Sequence, residues 1–370
     1  KPSSPVSYTD GPDFTVIPYD PAVHKLTEED KQTIEAEIAS QDYSAVLKGR
    51  WQIPELPGAI KSGKVKPLGE VHEFTVEGVT YRIWDNVTSG NFKDVGDEEL
   101  AEIIKLAEKS IGAAIKANRD LLDTPLPSLD FVFERLNGTN NATTYNRGTI
   151  FMDAKLFTER FRYGSMTEYL LRHEVFHVGD YVTDRLHATT GTRQDIHPPR
   201  TKFLAEVAGV CWEYCSLFLV EYDDDPASLE KQVLMEKAEN NARYMNKKGW
   251  PIYQNTWKQS RSRKLKKRKG EPLLTRTIGT YLAGALIDSA VEQAQGDSKK
   301  AKEMVLLYNK VMQHLHIPDI GAWNALNARF GIHDQQGHIV TYRSTIDHLR
   351  RVSRTPQPAY QKQAAPKNSV

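Results

Sequence analysis

From residue 97 to 122 the apolar positions Leu100, Ile103, Ile104, Ala107, Ile111, Ala114 and Ile115 recur at helical spacing, which predicts one amphipathic helix. Before it the period changes to two. His72, Phe74 and Val76 alternate with polar residues up to Glu77-Gly78, and Val79, Tyr81 and Ile83 resume the alternation beyond, so a β-hairpin is predicted. A further helix starts near Thr27, with Asp30 three residues on, and runs to about Leu47. Leu129–Leu136 and Thr149–Asp153 read as strands, and the polar stretch Asn137–Gly148 between them reads as a loop. A second long helix starts at Ser165, where Ser165 and Glu168 have capping-box spacing; Leu171, Val175, Val178 and Val182 form its apolar stripe. After a polar loop that ends in Pro198-Pro199, a third helix is predicted from about Thr201 to Tyr222, and most of the chain beyond it, to about Arg354, has helical character. The organisation expected is an N-terminal extension over 1–94, an α/β unit over 95–190, a helical unit over 191–355 and a Pro-, Gln- and Lys-containing tail over 356–370.

Composition narrows the function classes. The 370 residues are 39% hydrophobic, enough for true cores, and contain no apolar run near the ~20 residues that cross a bilayer. Two cysteines, Cys211 and Cys215, exclude a disulfide scaffold or a four-cysteine zinc module; four apart in a predicted helix, they read as buried thiols. Net charge is +1, so no global nucleic-acid footprint exists. The run 258–269 is strongly basic but contains no aromatic residue, so base stacking is unsupported and nucleic acid is not the expected partner. A start at Lys1 fits a mature secreted form or a trimmed one, low cysteine content fits an exported protein and equally a cytosolic one, and the sequons at Asn86, Asn137 and Asn141 are common by chance and add little; secretion is the expectation.

The chemistry lies in the second long helix, which contains His173-Glu174-Val175-Phe176-His177. Imidazoles four residues apart project from one helical face and can share one Zn²⁺. The glutamate beside the first histidine then lies by the open coordination position, where it can take a proton from a water whose pKa zinc lowers to about 7. A catalytic zinc usually has three protein ligands. Position 183, six after His177, is a threonine, so the extended three-histidine pattern fails. Asp195 and His197 are possible in the following loop. Glu206 and Glu213, seven apart on an otherwise apolar helix, are better candidates, because a buried carboxylate needs a counter-charge, whether a cation or an Arg or Lys.

With H-E-x-x-H on one helix and Ala205-Glu206-Val207-Ala208-Gly209-Val210-Cys211-Trp212-Glu213 on the next, the chain resembles the gluzincin metallopeptidases as a broad group. The resemblance implies an α+β, zincin-like two-lobe fold, with an α/β N-terminal lobe and a mainly helical C-terminal lobe. It also implies Zn²⁺ held by His173, His177 and Glu206, with Glu174 as general base. Gly279-Thr280-Tyr281-Leu282-Ala283-Gly284-Ala285 is similar to the Tyr-x-x-Gly-Ala segment of aminopeptidase-type members, which implies that the Tyr281 hydroxyl steadies the oxyanion. In zincins a strand near this position aligns substrate by β-addition, which makes Gly148, Thr149, Ile150 and Phe151, in the stretch to Asp153, the candidate substrate edge. Asp180 or Asp184 could orient a ligand histidine, and His187 or His197 could donate to an oxyanion.

The function expected is a zinc-dependent endopeptidase acting on protein or peptide substrates. Its rivals are a metallo-exopeptidase, disfavoured because the Gly-x-Met-x-Asn strand motif of the aminopeptidases is absent, and a zinc-binding recognition protein without turnover, against which the intact Glu174 argues.

Overall fold

The computed structural model describes residues 16–47, 71–85, 95–133, 142–145, 149–157, 165–190, 202–221, 238, 242, 271–315 and 317–354. The chain is a mixed α+β protein, mostly helical, with one small sheet. The expected sites Gly148, Asp195 and His197, the three sequons, the basic run 258–269 and the tail lie outside the described residues.

The N-terminal helix predicted from Thr27 divides into α1 (Glu28–Ala39) and α2 (Ser44–Leu47). Thr27 and Asp30 form a reciprocal capping box at the start of α1, which satisfies two of the otherwise orphaned first-turn groups. The hairpin is β1 (Val71–Val76) and β2 (Val79–Trp84). Glu77 and Gly78 both take positive φ, 50° and 79°, the combination whose twist matches two antiparallel strands joined by a two-residue turn. Then come α3 (Asp97–Leu122), β3 (Asp130–Phe133), β4 (Ala142–Tyr145) and β5 (Thr149–Met152).

Sheet order is β1-β2-β3-β5-β4, with β2, β3 and β5 parallel and the two outer strands antiparallel to their neighbours. All four residues of β3 and of β5 are buried, as interior parallel strands require. Two expectations change here. Part of the predicted loop Asn137–Gly148 is the strand β4, whose β-branched Thr143 and Thr144 suit a pleated surface. The substrate edge assigned to Thr149, Ile150 and Phe151 is not an edge: β5 pairs with β3 on one side and β4 on the other, so its backbone groups are already used.

The helices that follow are α4 (Ser165–Thr190), α5 (Lys202–Glu221), α6 (Glu271–Gln293), α7 (Ser298–His314), α8 (Ile320–Arg329) and α9 (Tyr342–Arg354). Glu168 has its carboxylate on the guanidinium of Arg172 one turn on, and the side chain of Ser165, its partner in the expected capping box, lies outside the described residues. Two main apolar clusters result. One joins the sheet to α3 and to one face of α4, through Leu171, Val175 and Val178. The other is built by α5 to α9 and takes Phe176 from the opposite face of α4. The helix carrying the H-E-x-x-H run is therefore the seam between two cores.

Glycines set how closely its neighbours approach. A Cβ on Gly179 of α4 would lie 2.6 Å from Gln313 Nε2 of α7 and from Thr124 Cγ2. One on Gly279 of α6 would lie 2.6 Å from Val210 Cβ of α5. The end of α7 adds a buried polar cluster. Thr124 Oγ1 donates to Gln313 Oε1 at 2.6 Å, and Gln313 Nε2 donates to Phe176 O at 3.4 Å. His314 Nε2 lies 2.6 Å from Leu122 O, and its Nδ1 lies 2.9 Å from the Tyr43 hydroxyl. A carbonyl only accepts, so Nε2 carries the hydrogen and donates it to Leu122 O. The N-terminal segment is thereby tied to the two long helices α3 and α7.

Burial lowers the His314 pKa against its hydrogen bond to Leu122, so the folded ring stays neutral where an unfolded one takes up a proton. The stability due to this ring is complete above about pH 6.5, the unfolded value, and declines as pH falls below it. Urea unfolding of wild type and His314→Gln between pH 8 and 5 measures the effect: the gap between the two narrows toward pH 5.

Candidate metal centre

Helical geometry places His173 and His177 one turn apart on α4, with ring centroids 4.6 Å apart and planes nearly perpendicular. Their Nε2 atoms are 3.0 Å apart. Glu206 on α5 brings Oε2 to 3.7 Å from His173 Nε2 and 3.8 Å from His177 Nε2. These three residues form a group able to hold a metal ion, the one such group of His, Cys, Asp or Glu among the described residues. The approach of α5 depends on Gly209, one turn beyond Glu206. A Cβ there would lie 3.0 Å from the Cε1 of each histidine.

Protonation decides whether the group suits a cation. His173 Nδ1 faces Glu213 Oε2 at 3.7 Å, both atoms buried and without a hydrogen-bond partner. His177 Nδ1 faces Asp180 Oδ2 at 3.6 Å. Carboxylates on the Nδ1 side favour the tautomer with hydrogen on Nδ1, which leaves both Nε2 lone pairs pointing at one another and at Glu206. Such lone pairs repel unless a proton or a metal cation lies between them. A tetrahedral ion with bonds of 2.0–2.1 Å holds two nitrogens roughly 3.3 Å apart, within a few tenths of an ångström of the spacing here.

The electrostatics agree. Burial resists ionisation of Glu206, yet the two histidines overcome it and hold the carboxyl well below the usual carboxylate range. Burial likewise opposes charge on His177, but Asp180, Glu206 and Glu174 push its pKa up to about 10. Both shifts mark a place that binds positive charge, and a divalent ion supplies more of it than a proton.

The choice between Glu206 and Glu213 is settled geometrically among the described residues. Glu206 lies on the Nε2 side. Glu213, 1% exposed, lies behind His173, and its other oxygen accepts from Arg276 Nη2 of α6 at 2.5 Å. Arg276 is the counter-charge that a buried glutamate requires, and its side chain is still 37% exposed. It is also within electrostatic range of Glu174.

Glu174 is buried and neighbours His177 closely enough to act on its charge. Its Oε2 accepts from Thr144 Oγ1 on β4 at 2.6 Å. Tyr281 lies on α6, the helix that packs on α5. Gly279 faces Val207 and Val210 of α5, and Tyr281, two residues later, lies about 200° around α6 from that face. The Tyr281 ring is buried and packs on His348 of α9 at 5.0 Å, surroundings that a core tyrosine would also have. His187, another oxyanion candidate, has Nε2 3.3 Å from His314 O and belongs to the cluster at the end of α7. Cys211 and Cys215 are buried free thiols.

Sequence reasoning missed Thr144, Arg276 and Gly209. The Ala142-Thr143-Thr144-Tyr145 run carried a β signal that its Asn-rich flanks obscured. Arg276 and Gly209 matter only through contacts between helices distant in sequence. No family model matches the chain, and no curated protein matches it.

Because Gly209 lets both imidazoles reach their positions, Gly209→Ala is expected to weaken metal binding, assayed with Zn²⁺, without removing any candidate ligand. A displacement cost of about 1 kcal/mol corresponds to roughly fivefold. Competition with a chromophoric chelator measures it, and Gly112→Ala, whose Cβ would make only an ordinary 3.6 Å contact with Val76, leaves the affinity unchanged.

Proposed function

We propose that the protein is a zinc-dependent metalloendopeptidase of gluzincin type, with a zincin-like arrangement of a sheet-containing lobe and a helical lobe. The observation that carries this reading is the convergence of His173 Nε2, His177 Nε2 and Glu206 Oε2, with Glu174 beside them on the same helix. His173, His177 and Glu206 would hold the ion, and Glu213 and Asp180 would fix the two rings from behind. When bound, zinc supplies a Lewis acid that makes water acidic enough to attack at neutral pH.

The remaining roles fall to the chain's own groups. Glu174 takes the proton of the water as oxygen adds to the scissile carbonyl carbon. It returns that proton to the departing amine as the C–N bond breaks. The substrate backbone is aligned on β4, the outermost strand on that side of the sheet among the described residues, in place of β5. Arg276, anchored by Glu213 and half-exposed, donates to a substrate carbonyl oxygen, the kind of support that the resemblance assigns to Tyr281. No helix among the described residues is long and apolar enough to cross a membrane.

The test is digestion of an unbiased peptide library by the zinc-loaded chain and by Glu174→Gln, read by mass spectrometry. The expected result is internal cleavage by wild type only, with the variant lower by at least about a hundredfold, since loss of the general base removes a large acid–base contribution. Cuts confined to peptide termini would favour an exopeptidase. Equal cleavage by both proteins would remove Glu174 from the mechanism.

A further inference from the structure

The contact between Thr144 and Glu174 joins two parts of the site that the peptidase reading treats separately. Thr144 Oγ1 lies 2.6 Å from Glu174 Oε2 and 2.9 Å from the Glu174 backbone oxygen. Both partners only accept, so the hydroxyl is the donor. It has one hydrogen, and the shorter distance and formal charge direct it to the carboxylate. Glu174 is only 5% exposed, so few rotamers are open to it. With Oε2 held, Oε1 is the oxygen free to serve as base. Threonine suits the task because its branched β-carbon restricts χ1, which fixes the hydroxyl relative to the strand.

Thr144 also belongs to β4, among the described residues an outer strand of the sheet that pairs on one side with β5. A peptide laid along the other side of β4 would lie against the strand whose side chain grips the base. We propose that Thr144 is a positioning residue: it sets the carboxylate of Glu174 in its working orientation and links that orientation to the substrate-aligning strand. The role rests on the peptidase reading above.

The experiment uses the full zinc-loaded chain and compares wild type, Thr144→Val and Thr144→Ser, with steady-state kinetics on a peptide that wild type cleaves and a zinc titration for each. Valine keeps the branched shape and removes the donor. In Thr144→Val kcat falls about ten- to a hundredfold, the scale of a misplaced catalytic group, while KM moves less than about threefold and zinc affinity is unchanged. Thr144→Ser, which restores the hydroxyl, recovers most of kcat. A Thr144→Val enzyme with wild-type kcat would overturn the proposal and leave the peptidase reading intact. So would a parallel loss of zinc affinity, or a serine variant as slow as the valine one. A wild-type chain that binds zinc but cleaves no peptide would refute the peptidase reading itself, and with it the role of Thr144.

Discussion

The arrangement depends on how closely α5 can approach α4. Two imidazole nitrogens 3.0 Å apart, with a carboxylate oxygen within 4 Å of each, form a cluster that the chain can assemble only if backbone comes close to ring. Gly209 permits that approach, because its missing side chain leaves room for the Cε1 atoms of both histidines. Gly279 repeats the device one layer out, where α6 meets α5 beside Val210 and brings Arg276 to Glu213. Close-packed interiors transmit such constraints with little slack. The ligand atoms therefore converge because of glycines that bind nothing.

A second constraint is the position of α4 between two cores. Leu171, Val175 and Val178 bind it to the sheet, and Phe176 binds it to the helical side. The two candidate ligand histidines lie between these anchors, so neither core can shift without moving them. The polar cluster at the end of α7 adds directional contacts, from Gln313 to Phe176 O and from His314 to Leu122 O. Tyr43 draws the N-terminal segment into this cluster, and Asp30, hydrogen-bonded to Arg329 at 2.7 Å, ties it to α8. The segment is built into the framework that supports the candidate site.

Much of this was legible in the sequence. The helical period of 97–122 gave α3 at its observed bounds, and the Glu77-Gly78 turn gave the hairpin register. Both signals are local. The pair His173 and His177 was legible for the same reason, since four residues of helix fix their separation. What the sequence did not disclose was non-local. Whether Glu206 or Glu213 faces the Nε2 atoms depends on the rotation of α5 against α4. Whether 142–145 or 149–152 forms the outer strand depends on sheet order. Around Tyr281 the segment Gly279–Ala285 is helical as expected, and a glycine-mediated contact, also non-local, sets its rotation and turns the tyrosine toward His348.

The central claim is that His173, His177 and Glu206 hold one metal ion. X-ray absorption at the zinc edge of the chain loaded with one equivalent tests it most directly. The account predicts a first shell of nitrogen and oxygen only, at about 2.0–2.1 Å, with the outer-shell scattering of two imidazoles. Sulfur in the first shell, which would place the ion at Cys211 and Cys215, or a count other than two imidazoles would contradict it.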